Sequence, residues 1–573
     1  MKTYTNYIKA GLSFALLSFF APSIYAEEDT TTTLSVNKYS YIDGVLTATA
    51  TPVTISSIVG DSDGISDSVV YYATWSNVSN SYVLNTDVPT DGTDYFTVTY
   101  NGVGAESLTA DSSTSTSGVF VNNSKTAIYS STTSTADVTG DFIANGTTRI
   151  GGGAVQVYTS TFGTLSGSFI GNSSTSWTSS NAGNKGGAVY VRTNAAVNAS
   201  ISSISGDFIA NYASTGGAIG LYSTASGTVS IDTIEGDFIA NYATQLDSDS
   251  NYFNTAQGGA IWLSTELATS VYINSITGDF LGNYVTSTDT AQGGAIAIAS
   301  TSTSYVYIGG YDETDGYYGM EGNIMSNYAV SSGTAQGGAI YNNAGSITFT
   351  ATDNDDATGN DYLYMGNWAG ASEDSLSSAD DANGGFLYQD SGATTFYTDA
   401  SSSITIGDTS LTGYDSIAGE GSIEKTGDGT LIINSSMAYY SGSMTVSGGT
   451  FKFSNVMNSS SSISVDASGT LSIVINSSNY GETILGTLSG DGSVLISFDT
   501  ASLADIADLT YSTTSIYDSS TLSNSIAWDS SLTTNADGNA TLSVDDVDYI
   551  VTISDDGYIT FAIDTDDESG NSG

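Results

Sequence analysis

The chain has 573 residues with no cysteine and no histidine, and its 60 acidic residues outnumber nine basic ones, giving a formal charge of −51. The missing residue types exclude Ser-His-Asp and Cys-His catalysis and histidine-ligated zinc sites. The charge excludes nucleic-acid binding, because so few Lys and Arg residues cannot neutralise a phosphate backbone, and it disfavours attachment to an anionic membrane surface. Since no disulfide can form, stability must come from packing and hydrogen bonding.

Residues 1–26 have the pattern of an export signal. Lys2 and Lys9 precede the short apolar stretch 11–20, and Ala26 ends a suitable cleavage site. This stretch is too short to cross a bilayer, and no later segment reaches the roughly 20 apolar residues of a membrane helix. We therefore expect an exported protein, located at the cell surface, in the outer membrane or outside the cell, with a charge of about −53 after processing.

Residues 27–135 are rich in strand-forming residues but show no period, so we expect them to begin or cap the structure that follows. Clustered aspartates here and further along the chain offer the oxygen ligands that calcium prefers. These candidate metal ligands are Asp61, Asp63 and Asp67, and then Asp353 and Asp355. Neither cluster fits an EF-hand loop, and a solvated acidic loop is the favoured interpretation. Calcium is the one cofactor that the sequence suggests.

Residues 136–400 repeat one motif, an F-x-x-N tetrad followed by Gly-Gly and an apolar run. The tetrads begin and end at Phe142 and Asn145, Phe169 and Asn172, Phe208 and Asn211, Phe238 and Asn241, Phe280 and Asn283, and in looser form at Ile324 and Asn327 and at Tyr364 and Asn367. The Gly-Gly pairs begin at Gly152, Gly186, Gly216, Gly258, Gly293, Gly337 and Gly384. Self-similarity of this kind indicates a stacked repeat architecture.

Each repeat is predicted to form one coil of an all-β, right-handed parallel β-helix with three short strands and three corners. Phe at the same place in every coil would stack into an interior ladder at the roughly 4.8 Å strand spacing. Asn side chains would stack across coils and satisfy the backbone of a corner, and Gly-Gly would permit positive φ and close backbone approach. The aromatic residue after Asn in several copies would either form a second ladder or stand exposed.

One side of the coil is constant in length and the opposite side is variable. Three consecutive copies place Phe 20 residues after the Ala that follows Gly-Gly, at Phe208, Phe238 and Phe280. The spacing from Asn to Gly-Gly instead varies between 5 and 17 residues. Repeat proteins place such insertions on one face, often the binding face. We therefore expect a variable edge that includes residues 244–257 and 369–383.

Residues 401–500 contain a second set of alternating strands separated by Gly-rich turns. The segment 423–433, with its Glu-Lys-Thr-Gly-Asp-Gly turn, is followed by Gly448-Gly-Thr-Phe451. Residues 501–573 are acidic and keep strand-forming patterns without a period, and helix formers are concentrated only in short places such as 501–509.

The pairing of F-x-x-N with Gly-Gly-Ala and an aliphatic residue resembles the repeat of the polymorphic outer-membrane proteins, the chlamydial-type autotransporters. The segment from Ile423 to Phe451 resembles the passenger-associated transport repeat. The resemblance implies a β-helical passenger displayed on a Gram-negative cell, commonly used for adhesion, with ligands or glycans of host or neighbouring cells and the outer-membrane translocation machinery as partners. Proteins of this family end in a transmembrane barrel, whereas the roughly 120 residues after Phe453 predict none. Three alternatives are open: a truncated passenger, a released protein, or a protein that another protein exports and holds.

A β-helical polysaccharide hydrolase or lyase is the alternative, because paired carboxylates can cleave a glycosidic bond. The acid pairs are Asp355-Asp356, Asp380-Asp381, Asp545-Asp546 and Asp555-Asp556. Each pair lies in a Ser-, Gly- or Asn-rich turn where a solvated acid is the ordinary explanation, and a lyase for acidic sugars would also need basic residues. The sequence therefore favours a binding protein without catalytic residues over an enzyme.

Overall fold

A computed structural model describes residues 126–565, apart from 132–136, 144, 148–150, 175–184, 245–254, 301–304, 314–315, 353–358, 409–410, 412 and 525. Before residue 126 it describes only short strands between residues 33 and 121. The chain divides into two compact units. Unit 1 comprises Met1–Gly309, Gly322–Gly345 and Gly370–Ser372, and unit 2 comprises Gly310–Glu321, Ser346–Ala369 and Glu373–Gly573.

The first strands of unit 1 form a mixed sheet and a hairpin. The mixed sheet contains Thr33–Val36, Val53–Ser56, Val70–Ser76, Ser81–Asn85 and Tyr95–Thr99, and the hairpin pairs Tyr39–Ile42 with Val45–Ala48. Parallel pairing then begins with Leu108–Thr109, Thr116–Ser117 and Phe120–Val121. Phe120 is in register with Phe142, so Phe120 begins an earlier copy of the repeat, which the sequence alone does not predict.

The rest of unit 1 is a parallel β-helix, which confirms the predicted fold class. Its coils contribute successive strands to four parallel sheets. The Gly-Gly sheet contains Ile128–Ser130, Val155–Tyr158, Val189–Thr193, Ile219–Ser223, Ile261–Thr265, Ile296–Ala299 and Ile340–Asn343. The long-strand sheet contains Val138–Thr139, Thr161–Ser166, Ala199–Ser205, Val229–Glu235, Ser270–Thr277 and Tyr305–Ile308. The Phe sheet contains Phe142–Ile143, Phe169–Ile170, Phe208–Ile209, Phe238–Ile239, Phe280–Leu281 and Ile324–Met325. The Asn sheet contains Gly146–Thr147, Ser173–Ser174, Tyr212–Ala213, Tyr242–Thr244, Tyr284–Ser287 and Tyr328–Ser331.

The fourth sheet corrects the predicted coil of three strands, because the tetrad and the aromatic residue that follows it belong to two strands and not to one. The structure instead ends a strand at Ile239 and begins another at Tyr242. Between them Ala240 has a φ of 52°, in the left-handed region. The residue before Asn is left-handed in five other copies, at Gly171, Ala210, Gly282, Ser326 and Gly366. Because a left-handed residue ends an extended strand, the tetrad is a bend between two strands.

The core of unit 1 lies inside the coils. In Val229–Glu235 the side chains of Val229, Ile231 and Ile234 are buried, while those between them are partly or fully exposed. The strand alternates with the period of two that is typical of one buried face as far as Ile231, and then two residues instead of one separate Ile231 from Ile234. Ala218 and Ala260, which directly follow Gly-Gly, are also fully buried. The interior is thus filled by aliphatic residues from the first two sheets and by Phe from the third.

Unit 2 is also built largely of parallel sheets, from shorter repeats. One sheet contains Ser346–Ala351, Ala393–Thr398, Ser422–Thr426, Ser443–Val446, Ser462–Val465, Thr483–Gly490 and Thr514–Leu522. A second contains Asp361–Met365, Ser403–Ile406, Thr430–Ile433, Gly449–Phe453, Gly469–Ile475, Ser493–Phe498 and Ile526–Trp528. A third contains Leu387–Gln389, Ile417–Gly419 and Tyr439–Tyr440.

Antiparallel elements complete unit 2. The strands Gly310–Asp312 and Gly316–Tyr318 form an antiparallel hairpin, whereas the short strand Met320–Glu321 is parallel to Ser346–Ala351. Trp368–Gly370 is a further short strand. Near the C-terminus Thr533–Thr534, Ala540–Val544, Val547–Ile553 and Tyr558–Ile563 pair in antiparallel order. Among the described residues, helix is confined to single turns at Glu373–Ser375, Asp380–Asn383 and Thr500–Leu503.

Candidate functional site

The Phe side chains of the repeat form a continuous stack inside unit 1. Ring centroids of neighbouring coils are 4.8, 4.7, 4.8 and 4.6 Å apart from Phe142 to Phe280, with interplanar angles of 3° to 6°. All five rings are buried. The spacing equals the distance between adjacent strands, so the stack follows from parallel in-register pairing. These residues have a structural role.

The Asn side chains form a second ladder, which is also buried. In each coil from Asn172 to Asn283, the Nδ2 amide donates to the Phe carbonyl of the preceding coil and to the Oδ1 of the next Asn. The Asn-to-Asn distances are 2.9 to 3.0 Å, from Asn145 to Asn327. Each Oδ1 also accepts the backbone N–H of the preceding Asn. The ladder therefore satisfies the backbone of the left-handed bend.

The two glycines of each pair have different roles. The first has positive φ at Gly186, Gly216, Gly258, Gly293, Gly337 and Gly384, between 61° and 69°; Gly152 is the exception. The second packs against the next coil, since a Cβ added at Gly217 would lie 2.0 Å from the carbonyl oxygen of Gly259. No side chain fits at that distance, so the pair is needed for both backbone conformation and coil spacing.

The variable insertions leave and rejoin the coil at fixed places. Tyr242–Thr244 pairs in register with Tyr284–Ser287, and Thr255–Gln257 pairs with Thr290–Gln292. Residues 245–254 thus connect the same two sheets that the short turn Thr288-Asp289 connects one coil later. The second pairing continues to Thr334–Gln336, and its glutamine side chains are hydrogen bonded at 2.7 and 2.8 Å. Insertions of different length therefore emerge at one corner of unit 1.

The aromatic residues after Asn form a second stack. Tyr212, Tyr242, Tyr284 and Tyr328 have centroids 5.1, 5.0 and 5.0 Å apart. Burial raises the pKa of Tyr284 to about 12 and raises the pKa of Tyr242 further, with the neighbouring hydroxyls adding to the effect. The stack lies beside the insertion corner, and the hydroxyls of Tyr242 and Tyr284 are neutral at any physiological pH.

In unit 2 the Asn ladder has a variant rung. Asn367 donates its backbone N–H and its Nδ2 to Oδ1 of Asp415, both at 2.9 Å, and the Gly366 N–H donates to Oδ2 at 2.7 Å. Asp415 is fully buried, and burial raises the pKa of its carboxyl group to about 7 against the lowering effect of these hydrogen bonds. An acid here replaces the Asn of the repeat, which the sequence did not indicate because no F-x-x-N tetrad precedes it.

The predicted metal and acid residues are placed as follows. Ala26, Asp61, Asp63, Asp67, Asp353, Asp355 and Asp356 lie outside the described residues. Asp380 and Asp381 begin a helical turn, where Asp380 accepts from Ser377 and burial raises the pKa of Asp381. Asp545 and Asp546 form a turn with positive φ, and Asp555 and Asp556 are exposed. In the part of the chain that the structure describes, no three acidic side chains form a group able to hold a metal ion.

Two of the few basic residues lie together on the outer face of the Gly-Gly sheet. Tyr158, Arg192 and Tyr222 are in register in successive coils, as are Tyr190, Gly220 and Trp262 beside them. The Lys185 Nζ lies 3.6 Å from the ring centroid of Tyr222 and 4.0 Å from that of Trp262. The Arg192 Cζ lies 4.5 Å from the ring centroid of Tyr158 and 5.8 Å from that of Tyr190. We call Lys185, Tyr190, Arg192, Tyr222 and Trp262 the cation–aromatic cluster.

The cluster is desolvated. Burial lowers the pKa of Lys185 to about 7, an effect that Glu266 opposes and Arg192 reinforces. The Tyr222 hydroxyl donates to the Glu266 carboxylate, and burial together with this carboxylate raises the pKa of Tyr222. The Trp262 Nε1 donates to Oε1 of Gln257 at 3.0 Å, at the insertion corner. Trp262 is buried, so its ring packs against the cluster and offers no open face to a sugar.

Sequence reasoning did not find this cluster. Lys185, Thr215 and Gln257 occupy the same position before Gly-Gly in consecutive coils. The one available signal was that this position is Gln in the three Thr-Ala-Gln-Gly-Gly repeats and Lys in one earlier copy.

The chain matches no protein-family model, no curated protein and no solved structure. Among the described residues, no helix combines the length and apolar character needed to cross a membrane.

Proposed function

We propose that the chain is an exported β-helical passenger protein that binds ligands of host or neighbouring cells through the insertions at one corner of its coils. Binding at this corner is supported by the contrast between the constant residues of the coil and the insertions, which vary in length. The Phe, Asn and Gly-Gly residues are engaged in the coil itself, and they leave no reactive group free. The insertions differ in length while the strands on either side keep their register.

Export and surface display are proposed from the N-terminal signal pattern and from the resemblance of the repeats to polymorphic outer-membrane proteins. Two properties of the chain suit that role. The interior stacks give a long stable framework without cysteine, and a large negative charge keeps an extended protein soluble by self-repulsion.

The test shortens one insertion without altering the coil. Residues 245–254 are replaced by Ser287-Thr288-Asp289, the three residues that join the equivalent positions Thr286 and Thr290 in the following coil, and the purified proteins are assayed for binding to intact cells and to a glycan array. We expect the shortened protein to fold, as judged by circular dichroism and thermal unfolding, and to lose binding to at least one ligand. Unchanged binding by this protein and by an equivalent variant shortened within 369–383 would refute the proposal. Shortening the turn between Glu266 and Thr269 serves as a control, because it lies on another part of the coil.

A further inference from the structure

We infer that the outer face of the long-strand sheet in unit 1 carries a binding site for a neutral hexose ring of an oligosaccharide. The sugar ring would lie over Ser230, against the face of the Tyr272 ring, and we call this place the serine slot. Ser230 and Tyr272 belong to regular strands of the coil. The slot is therefore separate from the insertions and does not depend on the function proposed for them.

The slot follows from the register of one column of outward-facing side chains. Successive coils place in this column Thr161, Ser200, Ser230, Tyr272 and Tyr307. The rings of Tyr272 and Tyr307 are stacked, with centroids 4.8 Å apart and an interplanar angle of 1°. One face of the Tyr272 ring is thus covered by Tyr307, while its other face is turned toward Ser230. The Ser230 side chain is too small to continue the stack, so the aromatic column ends in an open step.

A hexose ring has the size and the chemistry to take the next place in this stack. The C–H groups on one side of a sugar ring pack against an aromatic face at ~3.5–4 Å between carbon atoms. That contact fits a place one strand away from Tyr272, since neighbouring strands are roughly 4.8 Å apart. Tyr272 and Ser230 are both partly exposed, so the place is reached from solvent. A sugar ring bound there covers apolar ring surface that water now contacts.

Polar side chains near Ser230 match the hydroxyl groups of a sugar. Asp232 lies two residues further along the same strand and is exposed, and the Nδ2 of Asn274 donates to its Oδ1 at 2.6 Å. Thr228 lies two residues before Ser230 and is partly exposed. A carboxylate, an amide and hydroxyl groups together offer both acceptors and donors. A few polar groups beside an apolar surface are what orients a small ligand in a protein site.

The charges around the slot select a neutral sugar over an acidic one. Asp232 and Glu235 are exposed acids of the strand that carries Ser230. That strand and the next, Ser270–Thr277, contain no lysine or arginine. A sugar carboxylate would meet these acids and the overall charge of −51 without a cation to pair with.

Tyr305 offers a second aromatic face one coil further along. It is in register with Ser270, another small residue, and its side chain is 72% exposed. Since Ser270 and Tyr272 are alternate residues of one strand, the places over Ser270 and Ser230 are neighbours on the same outer face. An oligosaccharide can contact both rings and a monosaccharide only one, so affinity should rise with chain length.

The test measures binding of linear hexasaccharides of glucose, galactose and mannose to the full chain by saturation-transfer NMR. We expect at least one to bind the parent protein. Ser230→Tyr places a ring in the slot and extends the stack of Tyr272 and Tyr307, so it should keep the thermal stability and weaken binding about tenfold or more. Tyr272→Ala should weaken binding about fivefold or more, whereas Tyr272→Phe, which keeps the aromatic face, should retain it. Tyr511→Ala, which removes an 87% exposed ring from unit 2, is the control and should leave binding unchanged.

Two charged hexasaccharides decide the class of ligand. A galacturonate hexasaccharide should not bind, and a glucosamine hexasaccharide should bind no more tightly than the best neutral one. Tighter binding of the glucosamine chain that is lost in Ser230→Tyr would overturn the proposal, because Tyr272 and Asp232 would then form a cation site. No binding of any neutral hexasaccharide, or equal binding to the parent and to Ser230→Tyr, would also overturn it. Ser230→Tyr leaves the insertions intact and should not alter cell binding through them, so the two proposals fail independently.

Discussion

Replacing Asp415 by Asn should change how the stability of unit 2 depends on pH. The carboxyl group has a pKa of 3.8 when unfolded and about 7 when folded, because burial disfavours its charge. Since the folded pKa is raised, the neutral acid contributes stability that is present below about pH 4 and is lost as pH rises through about 7. An Asn side chain has no charge to bury, so the variant lacks this loss.

The size of the effect follows from the two pKa values. One pKa unit corresponds to about 1.4 kcal/mol, so the cost of ionising Asp415 grows by about 3 kcal/mol between about pH 5 and about pH 8.5. An opposing cost is independent of pH in this range, because the NH₂ group that replaces Oδ2 in the variant cannot accept the hydrogen bond now donated by the Gly366 N–H. That lost bond to the neutral carboxyl group is worth about 0.5–1.5 kcal/mol. The variant should therefore be less stable than the parent near pH 5 and as stable or more stable near pH 8.5.

The assay is urea unfolding of both proteins at several pH values, followed by circular dichroism and by tryptophan fluorescence, to which Trp368 and Trp528 of unit 2 contribute two of the five tryptophans. The difference in unfolding free energy between variant and parent cancels the titration of the other carboxylates. Asp555→Asn, which removes an exposed acid of unit 2 outside the ladder, is the control and should leave the pH dependence unchanged. A difference between Asp415→Asn and the parent that stays constant from pH 5 to 8.5 would refute the reasoning.

Three further changes test the coil. Phe238→Ala should destabilise the protein by about 3–5 kcal/mol, because it removes a buried ring stacked on both faces, whereas Tyr305→Ala, 72% exposed, should change thermal stability little. Asn241→Ala should cost at least about 3 kcal/mol, because it removes the acceptor for the backbone and side-chain amides of Asn211, and amide hydrogen exchange at residue 211 should accelerate. Gly217→Ala should prevent folding of the coil, since its Cβ would meet a carbonyl oxygen at 2.0 Å, whereas Gly282→Ala meets nothing within 4 Å and should cost only backbone strain; equal unfolding temperatures for the two Gly variants would contradict this explanation.

The sequence was sufficient to predict the parallel coil, because its signals are periodic. Asn and Gly-Gly recur in all seven copies and Phe in five of them. Stacked coils explain each of these residues, because Phe rings stack at the strand spacing, each Asn accepts from the amides of its neighbour, and the second Gly contacts the next coil. The fixed distance from Ala218 to Phe238 likewise predicts strands of constant register. The period is weaker around Phe120, and the sequence alone does not predict the copy of the repeat that begins there.

Other features could not be predicted, because they depend on contacts between distant residues. The left-handed bend occurs at Ala240 as well as at Gly171 and Gly282, and alanine gives no local sign of positive φ. Asp415 lies 48 residues from Asn367, whose backbone N–H donates to the Asp415 carboxylate. The cation–aromatic cluster joins Lys185 to Trp262 across an intervening coil, and no local pattern relates those two residues.

The most direct test of the account is to move an insertion along the helix. In the protein whose residues 245–254 have been replaced by a short turn, the removed segment is inserted between Thr286 and Thr290 of the next coil in place of the three residues there, since these positions are in register with Thr244 and Thr255. If the coil is a framework and the insertions carry recognition, binding to cells or glycans should be lost on shortening and regained on transfer. A folded transfer protein that stays inactive, or a shortened protein that still binds, would contradict the account.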